Sequence, residues 1–324
     1  MKIAVVGPGA VGSYYGAKLV RTGQEVHFLL RSDYEAVKRH GVFIHSPEGD
    51  FNARPKCART PEEIGPSDLV IIALKTTVND QFPKLLPPLV GPNTVVLTLQ
   101  NGLGNEEELA KLFPIEQIMG GLCFVCLNRT APGVVQHMAH GLVVLGEFQR
   151  WPGPRTHDLA TMFRNAGVNC KVAENLLHAH WDKLVWNIPF NGLGVAGMAG
   201  YEALINPQSP IGNRQSLGPV LTTDQLLADP RWENLVRELM HEVIAAAAVL
   251  GYQTPLSFAE KQIERTRTMG SYKASTLVDF EQGRALELEN LFLEPLRQAK
   301  NAGAKVPRLE SLCRVLQQIS SLGK

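Results

Sequence analysis

The run Ile3-Ala-Val-Val6 leads directly into Gly7-Pro-Gly9-Ala-Val-Gly12, a strand-like apolar stretch followed by three glycines in the spacing G-x-G-x-x-G. Each glycine has a separate job in a turn that holds a dinucleotide. Gly7 makes the tight exit from the strand, Gly9 lets the backbone approach a pyrophosphate, and Gly12 lets the following helix pack closely on the sheet. The helix would start near Ala10 and Val11, where free N–H groups and the helix dipole favour phosphate. Gly7, Gly9, Ala10, Val11 and Gly12 are therefore the expected cofactor-binding residues.

Three glycines at this spacing mean little without context, and the context agrees. A helix-compatible stretch follows from Ser13 to Arg21, then Gly23, then a second apolar strand, Glu25-Val-His-Phe-Leu-Leu30. That is the strand-turn-helix-strand unit the phosphate site needs.

A chain of 324 residues is long for a single core, so two domains are expected. With 44% hydrophobic residues and a formal net charge of +1, the composition carries no electrostatic footprint for nucleic acid or an anionic membrane. Lys2 followed by an apolar run could pass for a secretion signal, but the glycines and Pro8 interrupt it before it reaches sufficient length. Elsewhere, no stretch approaches the roughly 18 apolar residues of a membrane span. A cytoplasmic protein acting on a small molecule is the expectation.

Five cysteines argue against a disulfide framework. Cys123 and Cys126 form a C-x-x-C inside a strand-like run, where positions three apart face opposite sides, so they read as core cysteines. His137, His140 and the His178-Ala-His180 pair lack partners at metal spacing, and no metal is expected.

Further along, Val42 to His45 and Phe51 to Lys56 flank Ser46-Pro-Glu-Gly-Asp50 as a hairpin. Asp68 to Leu74 and Asn93 to Leu99 are continuous apolar runs, as in strands buried on both faces of a parallel sheet. Strands are also expected at Gln117 to Leu127, Gly133 to His137, Leu142 to Phe148 and Asn169 to Val172, with a helix near Arg155 to Ala166. From about Glu174 the pattern becomes helical. Asp229-Pro230 supplies a cap and a first-turn proline for a helix with apolar residues from Leu235 to Ile244, stopped by Gly251. Ser257-Phe-Ala-Glu260 matches a capping box for the next helix, ending near Gly270. Asn206 to Thr223, rich in proline and glycine, is expected to be a long surface loop. The fold class is thus α/β: a Rossmann-type dinucleotide-binding domain over residues 1–173, then an all-α domain over residues 174–324 carrying substrate and catalysis. Apolar positions on the second-half helices suit an interior or a homodimer interface equally well.

The tip of the second strand selects the cofactor, with Asp or Glu for the NAD ribose and Arg for the extra phosphate of NADP. Here the strand ends Leu29-Leu-Arg31-Ser32. Arg31 can hold a 2′-phosphate bidentately and favours NADP, although Asp33 two residues later could still meet a ribose. Just past the later strands come Lys75 and Thr76, and then Gln100 and Asn101, on the rim where open sheets bind ligands. In the second half, Lys183, Asn187 and Asn191 recur every fourth residue and share one helix face. Asparagine is a poor helix former and Pro189 lies within the run, so propensity does not account for this stripe. It reads as the lining of a cleft.

With Tyr272-Lys-Ala-Ser275, Glu287 and the Leu99-Gln-Asn101-Gly102 turn, these residues resemble the ketopantoate reductase family (2-dehydropantoate 2-reductase) over nearly the whole chain. The glycine loop is common to many families; the Lys-x-x-x-Asn-x-x-x-Asn stripe followed by Ser-x11-Glu is specific. The resemblance implies NADPH-dependent reduction of a branched 2-oxo acid to its 2-hydroxy acid on the way to pantothenate. It implies Lys183 and Glu287 as catalytic residues, and Asn187, Asn191, Ser275 and Asn101 as substrate-binding groups. Lys75 and Asn101 would stand at the cofactor-substrate junction, and Arg31 at the 2′-phosphate. Around Glu287 this chain has Ala285-Leu-Glu-Leu-Glu-Asn290 in place of the family's Thr-Glu-Ile-Asp followed by Asn-Gly, a departure that bears on the substrate.

An ammonium suits the chemistry independently, because a ketone accepting hydride develops alkoxide charge and needs a proton donor. Two other readings compete. One is another two-domain NAD(P)-dependent dehydrogenase, for a hydroxy acid or a glycerol phosphate; phosphate substrates would require more cationic side chains than the sequence offers. The other is a non-catalytic NADP-sensing regulator, which would have no need of a lysine and a carboxylate at the nicotinamide.

Overall fold

In the computed structural model, which describes residues 1–212, 215 and 217–322, the chain divides into two compact units, Met1–Leu177 and His178–Lys324. The first is built on one ten-stranded sheet. Strands β1 (Lys2–Val6), β2 (Glu25–Leu29), β6 (Ser67–Ile72) and β7 (Val90–Thr98) run parallel. Their register aligns Val6 with Leu29 and with Ile72, and Ile72 with Thr98. The four carboxyl ends are therefore level, and the turns that follow them leave from a single sheet edge.

Alternation along β1 explains why this sheet is covered on both faces. Ile3 and Val5 join a core with Tyr15 and Leu19 of α1 (Ala10–Val20) and Leu159 and Phe163 of α6 (Pro154–Asn165). Ala4 and Val6 join another with Phe82, Leu86 and Leu109. A strand with core on both sides has no polar face, hence the continuous apolar runs of the sequence.

Beyond β7 lie β8 (Ile118–Ala131) and β9 (Val134–Glu147), a long antiparallel hairpin. β9 also pairs with β3 (Val42–His45) and with β10 (Cys170–Val172). The two stretches expected as separate strands, Gly133 to His137 and Leu142 to Phe148, are thus one irregular strand, in which His140 (φ 66°) and Gly141 (φ 136°) absorb a register shift. The expected strand from Phe51 to Lys56 is in fact two. β4 (Phe51–Ala53) closes the hairpin with β3, whereas β5 (Lys56–Ala58) pairs with β2 at the opposite edge of the sheet. Pro55, which has no N–H to donate to a ladder, lies in the break.

The second unit contains helices and no strand among the described residues. Its longest helices are α7 (Leu176–Ala196), whose first two residues belong to the first unit, and α10 (Pro230–Val249). The expected start of α10 is present: Asp229 accepts from the Arg231 amide at 2.9 Å, with Pro230 at the first helical position. The capping box at Ser257 is absent. The helix Ser257–Arg267 begins one residue too early for it, so Ser257 is helical and makes no cap bond, and Glu260 pairs with Arg237 instead. The stretch from Asn206 to Thr223 has no long regular element, and its residues 213, 214 and 216 lie outside the described residues. Its final part is not a free surface loop: the amides of Gly218 and Leu221 donate to the carbonyls of Met198 (2.8 Å) and Gly194 (2.9 Å). No described helix is long and apolar enough to cross a membrane.

Candidate active site

The glycine turn has the geometry its spacing requires. Gly7 has φ 83°, and a Cβ there would lie 2.6 Å from the Leu74 amide nitrogen. At Gly12 a Cβ would lie 2.7 Å from the Gly7 carbonyl and 3.1 Å from Val5 and Ala73, so any side chain would push α1 off the sheet. Above Gly9, by contrast, a Cβ would find only the Gly7 carbonyl, at 4.0 Å, which leaves the open approach a diphosphate needs. Ser13, a residue the sequence reading passed over, fastens the turn: its hydroxyl donates to Pro8 O (2.8 Å) and its amide to Gly9 O (3.1 Å). The amides of Ala10, Val11 and Gly12 precede the first intrahelical bond and have no acceptor within α1. No acidic residue stands in that first turn to oppose an anion.

Arg31 is exposed just beyond β2, the strand next to β1. Asp33 is buried and differently engaged. Arg129 Nη1 donates to both of its oxygens (2.7 and 2.6 Å), the Ser32 hydroxyl to Oδ1 (2.9 Å) and the Gly133 amide to Oδ2 (3.3 Å). Burial alone would raise this carboxyl's pKa, but the guanidinium and the two further donors override it and hold it below the usual aspartate value. The cradle fits a dinucleotide, and the Asp33 carboxylate is taken up by Arg129, Ser32 and Gly133.

Lys75 is exposed and extended at the start of the 3-10 segment Thr76–Gln81, and Asn101 is half-buried in the turn after β7. A chain of amides ties these two loops together. Gln100, expected on the rim, turns inward and is 5% exposed. Its Oε1 accepts from the Thr98 hydroxyl at 3.0 Å and its Nε2 donates to Asn79 Oδ1 at 2.8 Å; Asn79 Nδ2 then donates to Asn105 Oδ1 (3.0 Å), and Asn105 Nδ2 to Asn101 O (3.1 Å). Asn79 and Asn105 were not among the expected site residues, because the contacts that Asn79 makes with Gln100 and Asn105 span 21 and 26 positions and leave no local pattern.

In the second unit α7 continues through Pro189 and carries the polar stripe. Lys183 is half-buried, Asn187 is 7% exposed and Asn191 2%. Asn191 Oδ1 accepts from the Thr276 amide (3.0 Å) and the Ser275 hydroxyl (3.1 Å), which fixes the start of α12 (Ser275–Glu281) against α7. The structure thus joins Asn191 and Ser275 directly. Glu287 is buried just ahead of a π-helical turn, Glu289–Leu293, with Asn290 also buried within that turn.

Two of the histidines weighed as metal ligands, His137 and His178, have structural partners. His137 takes the Ser46 hydroxyl at Nδ1 (2.9 Å) and donates from Nε2 to His140 O (2.9 Å), while His178 stacks on Tyr252 and bonds Thr254. Among the described residues no group of three or more His, Cys, Asp or Glu side chains is placed to hold a metal.

Comparison with known proteins covers both units. The model of the family Ketopantoate reductase PanE/ApbA matches residues 3–150, and that of its C-terminal domain matches residues 219–320. A 2-dehydropantoate 2-reductase from Nostoc sp. is 39% identical over 96% of this chain and 92% of its own length. The crystal structure of 2-dehydropantoate 2-reductase from Geobacter metallireducens is 44% identical, covers 98% of this chain and 100% of its own, and superposes with a TM-score of 0.88. The Methylococcus capsulatus structure of the same name is 33% identical, covers 100% of this chain and 98% of its own, and has a TM-score of 0.85. A glycine cradle on a parallel sheet, a helical unit with a Lys-Asn-Asn stripe and two family models spanning most of the residues agree: the chain belongs to the ketopantoate reductase family.

Proposed function

We propose that this protein reduces 2-dehydropantoate, or a closely similar branched 2-oxo acid, to the 2-hydroxy acid with NADPH. Residues 1–173 take the cofactor, and residues 174–324 supply the substrate and catalytic groups. The activity in the names of the relatives supports the reaction; the observation that carries it for this chain is the stripe on α7, where Lys183, Asn187 and Asn191 recur every fourth residue and the two asparagines are buried among apolar neighbours such as Leu184, Ile188 and Phe190.

In this reading Gly7, Gly9, Ala10, Val11 and Gly12 hold the diphosphate through backbone amides, and Arg31 pairs with the 2′-phosphate. Bound NADPH supplies a hydride to the substrate carbonyl. Lys183 holds a proton at the ketone oxygen and neutralises the charge that develops there. Asn187, Asn191, Ser275 and Asn101 orient the acid, Glu287 accepts from a substrate hydroxyl, and Lys75 keeps positive charge beside the cofactor. Orientation and electrostatics are the protein's contributions to rate.

The test is a panel of 2-oxo acids and phosphorylated ketones, each assayed with NADPH and with NADH. Consumption of NADPH with 2-dehydropantoate as the preferred substrate is expected. Activity confined to phosphorylated ketones, or tight NADPH binding with no consumption across the panel, would refute the proposal.

A further inference from the structure

Asp33 occupies the N-cap position of α2 (Tyr34–His40), where an aspartate ordinarily accepts from the amides of its own helix. It makes no such bond. Its carboxylate is instead taken up by the tip of the β8–β9 hairpin, through Arg129 and the Gly133 amide, residues 96 and 100 positions away. The tip is fitted to that place. Gly133 has φ 70°; a Cβ on it would lie 3.2 Å from Val37 of α2 and 3.1 Å from the Gly41 carbonyl, and its own carbonyl accepts from Phe43 N at 2.8 Å. The Asp33 side chain is 7% exposed and that of Arg129 38%, so the carboxylate is covered while the guanidinium closes over it from the solvent side.

We propose that Arg129 is a specificity-determining positioning residue: by sequestering Asp33, it removes from the tip of β2 the carboxylate that would otherwise favour NADH and oppose NADPH. This rests on the NADPH reading above. A carboxylate two residues beyond Arg31 can accept from the two ribose hydroxyls of NADH, and it repels the 2′-phosphate of NADPH. Held by Arg129, Ser32 and Gly133 it does neither, and the charge offered to the phosphate is that of Arg31. Arg129 itself need not touch the cofactor.

The experiment measures dissociation constants of NADPH and NADH by calorimetry on the full chain. Arg129→Met keeps the aliphatic stem and releases the carboxylate. It is expected to lower the NADPH-over-NADH preference by about tenfold, equivalent to about 1.4 kcal/mol. Adding Asp33→Asn to that variant removes the freed charge and should restore the preference, a rescue that a merely structural role for Arg129 would not produce. Asp33→Asn alone keeps hydrogen-bonding capacity toward Arg129, so it remains informative even if Arg129→Met does not fold; it should leave both affinities within about twofold. Three results overturn the inference while leaving the NADPH reading intact: an unchanged ratio in folded Arg129→Met, no rescue in the double variant, or a large loss of NADH affinity in Asp33→Asn. Equal affinity of the unmodified protein for the two dinucleotides would overturn the NADPH reading itself.

Discussion

Replacing Asn191 with alanine removes one oxygen that serves two donors, and the cost can be worked from what each donor loses. The Thr276 amide belongs to a residue only 4% exposed, and its bond to Asn191 is buried, so water does not replace the acceptor readily. An unsatisfied buried donor costs about 1–3 kcal/mol. The Ser275 hydroxyl is on an exposed residue and regains water, so it adds little. A local destabilisation of about 1–3 kcal/mol at the start of α12 follows, an exchange rate at the Thr276 amide faster by about 5- to 150-fold. Native-state hydrogen exchange on the cofactor-free protein measures this directly. Asn191→Asp is the control: the carboxylate keeps the acceptor in place and is favourable near a helix N-terminus, so protection should persist while substrate affinity changes. Unaltered exchange at Thr276 in Asn191→Ala would refute the structural half of this account and leave Asn191 as a substrate contact only.

Gly12→Ala places a methyl group 2.7 Å from the Gly7 carbonyl; overpacking of that kind costs about 1–3 kcal/mol, and dinucleotide affinity should fall with it, as urea unfolding and cofactor titration would show. Lys183→Ala should lower turnover far more than NADPH affinity, and unchanged turnover in steady-state assays would remove Lys183 from the chemistry. Asp33 predicts an acid limb. Because its carboxyl is held below the usual value, the stability it contributes is present above the ordinary aspartate pKa and is lost as pH falls through the lowered one. The stability advantage of the unmodified protein over Asp33→Asn should therefore shrink on acidification, and a difference constant between neutral and acid urea midpoints would contradict this.

Patterns that repeat locally were legible in the sequence. The Gly7 turn, the double-sided apolar strands, the Asp229-Pro230 start of α10 and the every-fourth-residue stripe each state their geometry within a dozen residues. What was not legible depends on distant partners. Phe51 to Lys56 reads as one strand because both halves are strand-like, and only Pro55 hints that Lys56–Ala58 joins β2 across the sheet. The box at Ser257 has the right letters, yet Pro255 accepts from the Phe258 amide and the helix is already under way one residue too soon. Asp33 is left in sequence as a residue that could still meet a ribose, and only the fold brings Arg129 to it. Asn191 reads as a cleft residue, and nothing local to it shows that its oxygen also accepts from the start of α12.

The bridge from Thr98 through Gln100, Asn79 and Asn105 to the Asn101 carbonyl contains hydroxyl and amide groups only. None of them gains or loses a proton across about pH 5 to 9. This bridge between the two loops therefore keeps its donors and acceptors unchanged over that range. Any bend in a plot of rate against pH has to originate in groups outside this clamp.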